Sequence, residues 1–241
     1  MRTGLPDIYA AGDCVITHHR LLGETYLPLG TTAHKQGRVA GENALGGNRQ
    51  FAGSLGTQVV KVFEQAAART GLRDHEATAA GYDPITVQSE ADDHKAYYPG
   101  SHRITLRVTG DRATGRLLGL QLFGHKNAEI AKRVDIAATA IFHGMTVDAV
   151  SYLDLSYTPP LGSPWDAVQM AAQAWVRQTR PALAPAPDLH TEEHPCQATT
   201  RPPACRAVTQ RTEPSGRQPR RLSSSLPAPA PARPARTPRR R

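Results

Sequence analysis

The sequence predicts an α+β fold, with a short α/β piece ahead of it and a tail that does not fold. Three observations predict it. Residues 102–123 read as two strands joined by a glycine-containing turn, residues 127–143 read as an amphipathic helix, and the composition changes abruptly after residue 177. Residues 1–177 carry 17 Lys+Arg against 17 Asp+Glu, whereas residues 178–241 carry 12 Arg, no Lys and 4 acids. The whole net charge of +8 therefore sits in the tail, together with 13 of the 20 prolines and none of the 13 aromatic residues. Such a segment buries too little apolar surface to offset its ordering entropy, so residues 178–241 are expected to be disordered.

The elements follow in chain order. Residues 5–11, Leu-Pro-Asp-Ile-Tyr-Ala-Ala, read as a short buried strand that breaks at Gly12-Asp13. A loop containing His18, His19 and Gly23 leads to a helix capped by Thr31 or Thr32, which Gly46-Gly47 ends after Leu45. Its small residues Gly37, Ala40, Gly41 and Ala44 share one face, a pattern that suits close packing on a flat surface. Residues 48–56 read as a linker. Gln58–Phe63 alternates loosely, Asp74–Ala80 is a short helix candidate and Ile85–Gln88 is a strand. In 102–108, Ile104, Leu106 and Val108 fall on one face and Arg103, Thr105 and Arg107 on the other. The turn at 110–115 returns the chain to a strand over Leu117–Phe123. Ile130, Ala131, Val134, Ala137, Ala138 and Ile141 form the apolar stripe of the next helix. Residues 147–157 read as a short helix or turn, Tyr157-Thr158-Pro159-Pro160 ends regular structure, and Asp166–Val176 is a last short helix.

Composition also excludes function classes. No run of about 18 apolar residues exists, so no membrane partner is expected. Three cysteines are too few for a disulfide scaffold, and a reducing cytoplasm is the expected setting. The basic balance belongs to the tail, which lacks the aromatics that stack bases, so a nucleic-acid partner is not expected. A tail-mediated nonspecific nucleic-acid binder stays open as an alternative, and so does a non-catalytic dimerising module. The Pro/Arg/Ser/Ala composition also resembles out-of-frame translation of GC-rich DNA, the reading preferred for the tail. The adjacent pair His18-His19 suits a solvated loop and not a metal site; no metal is expected.

The most informative stretch is Thr3…Pro6-Asp7-Ile8-Tyr9-Ala10-Ala11-Gly12-Asp13. Glycine lets backbone approach a ligand, and a carboxylate at a strand's end can accept hydrogen bonds from a polyol. This stretch resembles the second flavin-binding motif of the pyridine nucleotide–disulfide oxidoreductases. The resemblance implies FAD as cofactor, with Gly12 and Asp13 as contacts to its ribityl chain. Leu27–Asn43 resembles the helix that this family points at the flavin, which implies backbone contacts from Thr32 and Ala33. Gly56 through Phe63, Ala68 to Leu72, Tyr97-Tyr98-Pro99-Gly100, the Thr114–Gly119 turn and Lys132-Arg133-Val134-Asp135 resemble the family's dimerisation domain.

Within the family, Asp154-Leu155-Ser156-Tyr157-Thr158-Pro159-Pro160-Leu161 resembles the branch of coenzyme A-disulfide reductases, NADH oxidases and persulfide reductases. That branch implies NADH or NADPH as co-substrate and a homodimer through residues 57–176. Its acceptor would be a disulfide, persulfide, oxygen or peroxide. Two tyrosines of one subunit would reach the partner's redox site: Tyr157, and Tyr98 in preference to Tyr97. The resemblance divides the chain into a remnant of the FAD domain at 1–50, a dimerisation domain at 51–177 and the tail.

The chain also departs from the family. It has no Gly-x-Gly-x-x-Gly turn and no cysteine placed to be the redox thiol; Cys14 reads as structural, and Cys196 and Cys205 fall in the tail. The expectation is a C-terminal portion that is inactive alone and holds FAD poorly.

Overall fold

A computed structural model describes residues 1–180. The expectations placed on residues 181–241 lie outside the described residues. Five strands form one antiparallel sheet: β3 (Gln58–Val62), β4 (Gln65–Gly71), β5 (Pro84–Asp92), β6 (Arg103–Asp111) and β7 (Leu117–His125). Their order across the sheet is β3-β4-β7-β6-β5. Alternation decides the faces. Ile104, Leu106 and Val108 of β6 and Leu120 and Leu122 of β7 point inward and are almost fully buried. They pack against α3 (Ile130–Phe142), α4 (Val147–Ser151) and α5 (Ala167–Thr179), which cover that face of the sheet. The apolar stripe read from 127–143 is largely the buried side of α3, with Ile130, Val134, Ala137 and Ile141 in the core and Ala131 outside it. No helix among the described residues is long and apolar enough to cross a membrane.

Strands β4 and β5 carry weak signals. Residues 65–71, Gln-Ala-Ala-Ala-Arg-Thr-Gly, contain one β-branched residue, yet they pair along their whole length with both β3 and β7. Strand β5 runs four residues past Gln88 because its polar end, Ser89–Asp92, stays in register with Arg103–Leu106. Cross-strand pairing, not side-chain alternation, holds these segments extended.

The first 56 residues depart further from expectation. Residues 5–11 form no strand; an isolated bridge joins Arg2 and Tyr9, and Leu5 and Ile8 are exposed. A strand needs neighbours along its length for its backbone donors and acceptors, and among the described residues this segment has only residues 1–3, through the Thr3 N–H to the Ile8 carbonyl and the Ala10 N–H to the Met1 carbonyl. The expected loop contains a small hairpin of β1 (Thr17–His19) and β2 (Gly23–Thr25). Helix α1 (Gly30–Ala44) starts with Leu29 at the cap position, two to three residues before the expected Thr31 or Thr32, and ends into Gly46 at φ 91°. Its small-residue face is also turned about. Thr32, Gln36, Val39 and Asn43 are buried, while an ideal Cβ at Gly37 or Gly41 meets nothing within 4 Å. The polar side chains decide this orientation. Gln36 donates to Thr17 Oγ1 at 2.9 Å, Thr32 and Ser54 hydroxyls pair at 2.9 Å, and Asn43 exchanges hydrogen bonds with the Arg49 backbone.

Candidate functional site

Two groups of expected site residues occupy separate places. The first surrounds Gly12. Its φ of 88° is a conformation open to glycine, and its N–H donates to Gln36 Oε1 at 2.8 Å, which pins the Gly12-Asp13 turn against the first turns of α1. An ideal Cβ on Gly12 would stand 3.5 Å from Ala33 Cβ, so the turn and the helix start are in contact. Asp13 is exposed. The N–H groups of Thr32 and Ala33 both donate to the Leu29 carbonyl at 2.9 Å. The donors without partners at this helix end are those of Gly30 and Thr31. This differs from the expectation because the helix begins two to three residues early.

These residues fit one end of a flavin cofactor. An exposed carboxylate can accept from hydroxyls, and beside it two free N–H groups sit at the positive end of a helix dipole. Nothing among the described residues supplies a glycine-rich turn for a pyrophosphate. Cys14 is an exposed free thiol whose Sγ lies 3.5 Å from the Ala11 carbonyl.

Histidines 18 and 19 point to opposite sides of the β1 strand, as neighbours in a strand must. His18 is exposed; His19 is buried, and its Nδ1 accepts from the N–H groups of Leu21 and Leu22 at 3.2 and 3.3 Å. Burial lowers its pKa, outweighing the hydrogen bond to the Leu55 carbonyl, and so favours the neutral ring. His19 thus holds the hairpin turn and does not belong to a solvated loop. No cluster of three or more potential metal ligands exists among the described residues.

The second group is built on two loops. Tyr97 and Tyr98 lie in the loop between β5 and β6, with ring centroids 5.1 Å apart. Tyr157 lies in the loop between α4 and α5. The two loops touch through the Lys95 N–H, which donates to the Pro159 carbonyl at 3.3 Å. All three phenols reach solvent: Tyr98 is 37% exposed, Tyr157 45% and Tyr97 73%. The first loop is closed at its root by Asp93, whose carboxylate accepts from the N–H groups of His94 and His102 at 2.9 and 2.8 Å. Burial pushes this carboxyl up, but those hydrogen bonds and the nearby His94 ring outweigh it and hold it below the ordinary range. The second loop is closed by Gln169, which donates to the carbonyls of Leu153 and Ser151.

Sequence reading named the tyrosines and missed Asp93 and Gln169, which close their loops, and the buried pair of Arg133 and Asp166, 3.0 Å apart. A signal for one of them was present. Arg133 stands inside the apolar stripe, between Ile130 and Val134, where a charge signals a buried partner.

Comparison with known proteins places this geometry. A profile described as the pyridine nucleotide-disulphide oxidoreductase dimerisation domain matches residues 57–168, which span β3 to the start of α5. This chain carries that family's dimerisation domain. The oxidoreductase relatives extend the match beyond the domain. An "NAD(P)H sulfur oxidoreductase (CoA-dependent)" of Pyrococcus furiosus is 39% identical over 174 residues, covering 72% of this chain and 39% of that protein. A coenzyme A disulfide reductase of Staphylococcus epidermidis is 30% identical over 171 residues, 70% of this chain and 38% of that protein. Among solved structures, an NAD-dependent persulfide reductase from A. fulgidus superposes with a TM-score of 0.71 at 40% identity, over 74% of this chain and 33% of that one. The chain therefore spans under two fifths of each of these three oxidoreductases. The expected family and branch are the ones these relatives represent.

Proposed function

We propose that this chain serves an FAD-dependent NAD(P)H oxidoreductase that reduces a disulfide or persulfide of the coenzyme A type. In this reading residues 1–50 are the flavin-side piece, residues 51–177 are the dimerisation domain and form a homodimer through 57–176, and the setting is a reducing cytoplasm. The observation that carries the reading is the contact between the two tyrosine loops at Lys95 and Pro159. It sets the loop that carries the exposed Tyr98 against the loop that carries the exposed Tyr157. Relatives named as coenzyme A disulfide, sulfur and persulfide reductases support the substrate class. The dimerisation-domain match supports a partner subunit for the tyrosines to reach.

Bound FAD would supply two-electron chemistry between NAD(P)H and sulfur. The chain's residues do the rest. Asp13 would accept from the ribityl hydroxyls, and the unpaired N–H groups of Gly30 and Thr31 would stabilise negative charge on the flavin. Gly12 and Ala33 shape the turn between them, and buried Thr32 anchors the helix start through Ser54. Tyr157 and Tyr98 donate O–H hydrogen bonds to the thiolate that develops when the partner's sulfur substrate is cleaved.

Two experiments follow. The chain purified alone is expected to be colourless, because the pyrophosphate of FAD has no cradle here; flavin absorbance near one equivalent would overturn that part. The second joins this chain to the FAD- and NAD-binding portion of a relative. Tyr157→Phe then slows thiol release from a disulfide substrate roughly ten- to a hundredfold, the worth of one donor to a developing charge. NADH-driven reduction of an artificial dye, which bypasses the partner's cysteine, stays unchanged. Equal rates of thiol release in both proteins would make Tyr157 a packing residue.

A further inference from the structure

We propose that Arg133 and Asp166 form a clamp that sets the two tyrosine loops against one another, which makes Arg133 a positioning residue. The consequence for sulfur chemistry rests on the function proposed above; the clamp itself rests on geometry. Arg133 lies in the first turn of α3 and is 4% exposed. Burying a guanidinium is costly unless its donors are met. Here they are met by three separate segments. Nε and Nη2 each stand 3.0 Å from Asp166 Oδ2, Nη1 donates to the Ala128 carbonyl at 2.5 Å, and Nη2 donates to the Asp93 carbonyl at 2.6 Å.

Two of these acceptors are loop roots. Asp93 follows the last residue of β5 and opens the loop that carries Tyr98; its own carboxylate closes that loop through His94, Ser101 and His102. Asp166 is the N-cap of α5 and ends the loop that carries Tyr157; its other oxygen accepts from the Val168 N–H at 2.9 Å. One guanidinium therefore joins the roots of both loops. Away from the roots, the backbone link between them is the 3.3 Å Lys95–Pro159 bond, at the long end for a backbone hydrogen bond. The relative position of the loops is set at the roots. Lysine cannot replace this residue, since a single ammonium lacks the planar fork that reaches three segments at once. A core built only for stability would do as well with apolar side chains at both positions.

The test is amide hydrogen exchange by NMR on the full chain, comparing Arg133→Lys and Asp166→Asn with the original. Asparagine caps a helix as well as aspartate does, so Asp166→Asn removes the ion pair and spares α5. The reporters are the amides of Lys95, Tyr98, Leu161 and Gly162, each bonded within or between the loops. The controls are Leu106 and Leu120 in the central strands. In both variants the reporters are expected to exchange at least about tenfold faster, with the controls unchanged. Unchanged reporters would overturn the clamp. Equal acceleration of reporters and controls would overturn it too, because Arg133 would then be an ordinary core ion pair. The readout needs no substrate, so it separates from the proposed function: Tyr157→Phe, the test of that reading, is expected to leave the Lys95 amide as it was.

Discussion

Gly119→Ala is expected to destabilise the chain by about 3 kcal/mol or more, at the upper end of what overpacking costs. In the register of β4 and β7, Gly119 lies opposite Gly71, and just beyond Gly71 the chain leaves the sheet. An ideal Cβ at Gly119 would sit 1.9 Å from the Leu72 carbonyl oxygen and 2.9 Å from its N. Those atoms are backbone, and the Leu72 N–H is itself bonded to the Leu118 carbonyl at 2.9 Å. No rotamer change relieves the clash; the β4–β7 crossing has to open. Gly71 reinforces the constraint, with φ at 66° and the Leu118 carbonyl 2.1 Å from its ideal Cβ. A urea-denaturation midpoint read by far-UV circular dichroism checks the expectation, at unchanged m-value. A loss below about 1 kcal/mol would show that the crossing relaxes.

Trp175→Ala is expected to cost about 3–5 kcal/mol, the range for emptying a buried aromatic site. Trp175 is 4% exposed on α5 and lies across the end of β5 and β6. The sheet makes room for it at Gly110, where an ideal Cβ would fall 2.7 Å from the indole ring. Its Nε1–H donates to the Ile85 carbonyl at 2.8 Å. Strand β5 is at the edge of the sheet, so this bond also satisfies an edge acceptor. Trp175→Phe separates the two contributions: it keeps most of the apolar volume, loses the donor, and is expected to cost about 1–2 kcal/mol. Thermal unfolding of the three proteins checks the order. If Trp175→Phe costs as much as Trp175→Ala, the hydrogen bond and not the packing holds α5.

Much of the fold was legible because its signals are local. The first strand of the 102–123 hairpin alternates over 103–108 ahead of a Gly-containing turn, and the α3 stripe repeats at helical spacing; both patterns arise from faces that one element must bury. Gly46-Gly47 marked the end of α1 because the left-handed backbone there favours glycine. Strand β4 was not legible from its own side chains, because an alanine-rich segment carries no alternation and one of its two partners, β7, lies far along the chain. The α1 orientation failed for a related reason. Small residues permit close packing but do not compel it, whereas the buried hydrogen bonds of Gln36 and Thr32 do.

The candidate site divides in the same way. Gly12-Asp13 and the tyrosines were legible as motifs: a glycine-carboxylate turn before a helix, and a tyrosine held ahead of Pro159-Pro160. The sequence by itself determined the α+β class, the amphipathic elements and the residue types able to meet a flavin or a thiolate. The tertiary structure alone decided which backbone donors of α1 stay free, where α1 faces, and that Arg133 joins Asp93 to Asp166. The Arg133 contacts join residues 33 and 40 positions apart, and those that orient α1 join residues 19 and 22 positions apart. A side chain's periodicity reports the face it occupies, but its hydrogen-bond partner is chosen only when distant segments are brought together.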